Sequence, residues 1–114
     1  MIDTIGLLRS LTEKEIHIIH MLREKSELDI ASVELADLQV QEMPDGGMGS
    51  LYIVSADRKR EDRFFEKCIA DIELQDIDGA LVIVSLNVDQ YGVLFELDIW
   101  RVDYNPVIDL QLPH

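Results

Sequence analysis

The chain has 114 residues, 47% hydrophobic and 29% charged, which fits one globular domain with one core and excludes a disordered chain or two independent domains. Ten Lys+Arg against 23 Asp+Glu leave a net charge of −13, which disfavours nucleic acid and anionic membrane as partners because both are bound by cations that displace counterions. Cys68 is the one cysteine, so an internal disulfide and a cysteine-only zinc cluster are excluded.

The opening segment, MIDTIGLLRS, has no basic region ahead of its apolar residues. The longest apolar run, Ala80 to Val84, falls far short of the roughly 20 residues a spanning helix needs. The expectation is a soluble, cytoplasmic protein not exported by a signal peptide. Thr12 and Glu15 then form an S/T-x-x-E capping box, with Leu11 and Ile16 as its hydrophobic staple, which predicts a helix from about Thr12 to Lys25. Ile16, Ile18, Ile19, Met21 and Leu22 supply its apolar stripe. A short second helix is compatible with Ile30 to Leu35.

LQVQEM alternates and predicts a first strand, closed by PDGGMGS, whose proline and glycines forbid regular structure. LYIVS predicts a second strand, and ADRKREDR a solvated loop or short helical turn. From Phe65 the alternation returns, with Cys68, Ala70, Ile72 and Leu74 on one side and Ile69, Asp71, Glu73 and Gln75 on the other. DIDG turns the chain into ALVIVSLNV, and DQYG turns that into VLFELDIWRVD. Here Val93, Phe95, Leu97 and Ile99 face one way, and Leu94, Glu96, Asp98 and Trp100 the other. Pairing Val88 with Val93 sets Leu86 against Phe95, Val84 against Leu97 and Val82 against Ile99, and puts Ser85 opposite Glu96. The tail, NPVIDLQLPH, is compatible with a short edge strand between its prolines.

The charge is unevenly placed. After Lys67 the one cation is Arg101, against nine acids: Asp71, Glu73, Asp76, Asp78, Asp89, Glu96, Asp98, Asp103 and Asp109. The alternation puts Asp71, Glu73, Ser85, Asn87, Glu96, Asp98 and Trp100 on the side of the sheet away from the core. An open face of this kind provides neither the cleft nor the split pKa values that paired-carboxylate catalysis needs, and it suits a basic partner. Trp100 is either a contact residue for that partner or a ring tucked under a loop or the tail.

Other residues carry weaker signals. His17 and His20 have helical metal-pair spacing but no marked third ligand. DGGMGS lacks the lysine and following helix of a phosphate loop, so tight turns explain its glycines, with Met48 exposed at the tip and Asp45 beside it. Cys68 reads as an inert core thiol. Arg58, Lys59, Arg60 and Arg63 form a basic cluster that Asp57, Glu61 and Asp62 largely neutralise.

The segments LRSLTEKE, DGGMGSLYIVS and LNVDQYGVLFELDIWRVD resemble a family of small bacterial proteins classed as a domain of unknown function, over about Leu8 to Ile108. That resemblance implies no activity and transfers no site residue. In overall type (small, acidic and without a catalytic signature) the chain also resembles the immunity proteins that neutralise basic nuclease toxins in bacterial competition.

The expected fold is α+β: an antiparallel sheet of about five strands with one principal N-terminal helix packed on one face, in a single domain spanning 1–114. The expected function is non-catalytic binding, as an immunity protein or antitoxin that neutralises a basic toxin. Its partner-binding residues would be Asp71, Glu73, Glu96, Asp98 and Trp100, with Asp45 and Met48 at the glycine loop. No catalytic residue, metal or cofactor is expected. Two alternatives stand beside it: a small ligand-binding or enzymatic domain with its site near DGGMGS, and a structural module that dimerises through its last strand.

Overall fold

The computed structural model describes residues 7–26 and 35–113. The second helix expected at Ile30 to Leu35 falls almost wholly outside the described residues; a single 3-10 turn, Leu35–Asp37, follows it. The described residues contain seven strands: β1 (Arg9–Ser10), β2 (Gln39–Glu42), β3 (Leu51–Ile53), β4 (Phe65–Asp76), β5 (Leu81–Asp89), β6 (Leu94–Arg101) and β7 (Leu110–Gln111). These form one antiparallel sheet in the order β1-β2-β3-β6-β5-β4-β7, curled into a half-barrel with one short α-helix among the described residues. The expectation of about five strands is thereby corrected. β1 and β7 are two-residue strands, and each exists through its ladder to a longer neighbour, Arg9 with Val40 and Asp76 with Leu110; β7 is the short edge strand expected between the tail prolines, whereas β1 is too short for alternation to mark.

The helix α1 spans Glu13–Lys25. Thr12 caps it: its hydroxyl accepts from Glu15 N at 3.1 Å, while the Glu15 carboxylate accepts from Thr12 N at 2.9 Å. Arg9 of β1 forks onto both Glu15 oxygens at 2.8 and 2.9 Å, which ties the helix start to the sheet edge. Ile18, Ile19 and Leu22 bury against β4 and β5 and join one cluster with Val40, Leu51, Val82, Val84, Leu86, Leu97 and Ile99. Each such side chain contributes about 1.5–3 kcal/mol of burial, so the inner face holds the fold together.

The expected hairpin register is corrected by two residues. Leu86 pairs with Leu97, Val84 with Ile99, Ser85 with Asp98 and Asn87 with Glu96. From Glu96 onward the shift of two preserves which face each side chain occupies, whereas the expected faces of Leu94 (outer) and Phe95 (core) are corrected. Its origin is a bulge: Asn87 meets Glu96 while Val88 meets Leu94, so Phe95 has no opposite residue. Leu94 thus joins the core cluster, while Phe95 packs edge-on against Tyr52, ring centroids 5.8 Å apart.

β4 carries two similar irregularities, at Glu66 and Ile69. The second rotates the strand by one face. Ala70, Ile72 and Leu74 pair with the core residues Leu86, Val84 and Val82, but Cys68 pairs with Asn87 and is exposed. The reading of Cys68 as a buried core thiol is corrected for that reason.

Candidate functional site

Two buried guanidinium clamps decide which acids remain available. At the hairpin end, the chain passing from β3 to β4 inserts Arg63 completely into the fold. Its Nε donates to Asp89 Oδ2 at 2.7 Å, and its other nitrogens donate to the Tyr52 hydroxyl and to the carbonyls of Ile53 and Leu94 at 3.0, 2.7 and 2.6 Å. Burial pushes the Asp89 carboxyl up. The Arg63 guanidinium and the N–H groups of Val93 and Tyr91 outweigh that and hold it below the usual carboxylate range.

At the opposite end, Arg101 donates all five N–H groups to carboxylates: one to Asp76, two to Asp78 and two to Asp103, at 2.6–3.1 Å. Burial pushes Asp76 up. The N–H groups of Ile108, Asp109 and Ile77 together with Arg101 reverse this and hold it at about 2. Asp76 therefore stitches the tail to β4. Lys14 takes Asp109 at 2.7 Å. Of the nine acids after Lys67, five are now accounted for.

The remaining four are Asp71, Glu73, Glu96 and Asp98. The ladders place Asp71, Ser85 and Asp98 in one cross-strand row, Glu73, Ile83 and Trp100 in the next, and Asn87 and Glu96 in a third, all on the face away from the core cluster. Among the described residues none of these four carboxylates is in a salt bridge. Lys25 reaches Asp71, but at its backbone carbonyl, 2.8 Å away. Asp98 meets only the Ser50 hydroxyl, at 3.3 Å.

This face is not open throughout. The β3–β4 connection brings Arg60 over the Tyr52 ring at 4.9 Å, and Arg63 over Phe95 at 4.9 Å. Tyr52 lies opposite Glu96 in the ladder, so the crossover covers the face beside Glu96. Burial and the neighbouring Asp98 raise the Glu96 carboxyl above its ordinary value, against the opposing pull of the Asn87 amide, Arg60 and Arg63. Asn87 itself is 6% exposed, and its Oδ1 has no hydrogen-bond partner among the described residues. Three arginines of the basic cluster also have contacts elsewhere in the fold. Arg58 lies 3.7 Å over Tyr91, Arg60 over Tyr52, and Arg63 pairs with Asp89.

Trp100 is 39% exposed and sits 5.7 Å from the Tyr104 ring at a tilt of 60°. Tyr104 is 75% exposed and holds a left-handed φ of +66°, unusual for a residue with a Cβ.

The glycine loop makes the tight turns expected of it, with positive φ at Gly46, Gly47 and Gly49, but its side chains turn inward. Met48 is 8% exposed, which corrects the expectation of an exposed tip. Asp45 folds back, its Oδ1 accepting from Met48 N at 3.0 Å and its Oδ2 from Ser50 N at 2.8 Å. β3 pairs with β6 only at Tyr52 and Leu51, and beyond that point the β6 N–H groups of Ile99 and Arg101 donate to Ser50 Oγ at 2.9 Å and Met48 Sδ at 3.3 Å. Two side chains therefore continue the ladder where the backbone turns away. Gly47 O accepts from Val107 N at 3.1 Å, which joins the loop to the tail. Grooves of about 460 and 290 Å³ lie beside β7 (Glu73, Gln75, Leu81, Gln111) and beside β2 (Asp37, Gln39, Val54), and neither includes Asp45 or Met48. His17 and His20 are exposed on α1, and no group of three or more potential metal-ligating side chains occurs among the described residues. Among the described residues no helix is long and apolar enough to cross a membrane.

The family described as "Domain of unknown function (DUF6984)" matches residues 8–111. The chain belongs to that family. No curated protein and no solved structure matches the chain.

Proposed function

We propose that this member of the family is a non-catalytic binding protein that docks a basic protein through the outer face of its sheet. One observation carries the reading: the fold pairs five of the nine acids of its C-terminal half internally, and the four with no salt bridge among the described residues share one face with the only tryptophan. Repelling carboxylates on a sheet face lower stability, and a cationic partner recovers that energy on docking while the wider negative field speeds encounter. An immunity protein or antitoxin neutralising a nuclease-type toxin is the specific form of this reading. A nuclease domain has to be cationic to hold its own substrate, so it presents the complementary surface.

The test is affinity capture from the native host with the wild type, with a Glu96→Lys, Asp98→Lys double variant, and with a Glu24→Lys, Asp37→Lys control of equal charge change. The expected result is a basic partner retained by the wild type and control and weakened about tenfold or more by the face variant at moderate salt. Growth protection against that partner, expressed as a toxin, should follow the same order. Equal recovery by all three proteins rejects the acidic face.

A further inference from the structure

The fold stacks cations on its own aromatic rings repeatedly, and the exceptions are informative. The chain contains three tyrosines and one tryptophan. Tyr91 carries Arg58 at 3.7 Å, and Tyr52 carries Arg60 at 4.9 Å and Arg63 at 5.5 Å. Trp100 and Tyr104 have only each other among the described residues. Arg101, adjacent to Trp100 in sequence, is spent: it points to the core side and all its N–H groups are held by Asp76, Asp78 and Asp103. A cation for this ring pair has to come from outside the fold.

The surroundings specify what kind of cation. Asp98 precedes Trp100 by two residues on the same face, roughly 7 Å along the strand, and has no salt-bridge partner among the described residues. Ile83, opposite Trp100 in the ladder, offers apolar surface to an aliphatic stem. A guanidinium is planar, weakly hydrated and able to stack on a ring while donating to a carboxylate, whereas an ammonium is a compact and strongly hydrated charge. Every cation recorded over a ring in this fold is an arginine.

We infer that Trp100 and Tyr104 form an anchor for an arginine side chain of the partner, its guanidinium stacked on the exposed ring pair and paired with Asp98. The anchor rests on the basic-partner reading above and adds to it a residue type and a position. It makes Trp100 an energetic centre of the contact, the role large rings take when another chain excludes water around them. The outer carboxylates Asp71 and Glu73 then contribute attraction at longer range.

The single tryptophan gives a direct readout. Hexa-arginine and hexa-lysine peptides, which carry equal charge, are titrated at low salt into the wild type, Tyr104→Gly and Asp98→Asn, following Trp100 emission. Glycine suits the left-handed backbone at position 104, so that variant removes the ring without straining the turn. The wild type is expected to bind hexa-arginine about threefold to thirtyfold tighter than hexa-lysine, the range cation–π contacts span. Tyr104→Gly should collapse that preference while leaving hexa-lysine affinity unchanged, and Asp98→Asn should weaken both peptides. Equal affinity for the two peptides, or a preference that survives Tyr104→Gly, overturns the anchor and leaves the acidic face standing. Binding of neither peptide overturns both.

Discussion

The two guanidinium clamps use the same chemistry at opposite ends of one sheet, yet they secure different things. Arg63 is fully enclosed and faces one carboxylate plus three neutral oxygens, so its removal strands a buried charge in a dry setting. Arg101 is enclosed too, but two of its three carboxylates, Asp78 and Asp103, reach solvent. The first clamp fixes the crossover that lies over the outer face beside Glu96, and the second fixes the tail to the end of β4 through Asp76. Between them they consume four acids. The open part of the outer face is what remains once both ends are secured.

The sharpest way to break this comparison is Arg63→Met, which keeps an apolar stem and deletes the charge. It should cost about 3–5 kcal/mol, the loss seen when one partner of a buried pair is removed, read as a lower urea midpoint at unchanged slope. Adding Asp89→Asn should recover part of that loss, because the stranded charge goes while acceptance from Tyr91 and Val93 N–H remains. A loss below 1 kcal/mol would mean that the crossover is held by its ring contacts instead.

A smaller effect tests the tail end. Gly47 has φ +84°, and a Cβ there would stand 3.0 Å from the Pro106 Cβ; Gly46 has φ +76° with nothing within 4 Å. Gly46→Ala should cost about 1–2 kcal/mol from the left-handed backbone alone. Gly47→Ala should cost more, since the tail must also retreat and loosen the Val107 N–H bond to Gly47 O. Thermal denaturation of the two variants separates these contributions, and equal losses would show that the loop and tail are not coupled.

How much of this was legible in the sequence depended on how local the cause was. The capping box and staple are local, so α1 begins at the residue that the Thr12–Glu15 spacing indicates. The face assignment survives for β5 and for β6 from Glu96 onward, where a two-residue shift keeps parity, but the bulge at Phe95, which no alternation pattern marks, brings Leu94 into the core cluster and leaves Phe95 out of it. Cys68 was misplaced for the same reason: the extra residue, Ile69, reverses parity partway along β4. The clamps were the least visible. Arg63 is one cation among four in a segment that reads as neutral, and its partner Asp89 lies 26 residues on. Arg101, alone among acids, was a usable signal, since a lone cation amid nine carboxylates is a natural centre for several of them. The face that Asp71, Glu73, Glu96 and Asp98 occupy was legible because all four lie on the C-terminal side of the bulges at Ile69 and Phe95, where the alternation runs unbroken.

Glu96 offers the finest test, because two readings of it differ in sign. If its charge is kept for a partner, it is a burden on the free protein: burial and Asp98 raise its carboxyl above the ordinary value, so the folded state holds the proton more tightly than the unfolded one. Stability is then lost as pH rises from the unfolded value, near 4.3, through the raised folded value. Glu96→Gln removes that dependence. The variant should match the wild type at pH 4 and exceed it at pH 7 by less than about 1 kcal/mol, since solvent screens a half-exposed group, while binding hexa-arginine more weakly. If the ionised carboxylate is instead a structural acceptor for the Asn87 amide, Glu96→Gln weakens the fold at pH 7 and leaves peptide affinity unchanged. Stability gained together with affinity lost is the signature of a charge maintained for docking at the expense of the free fold.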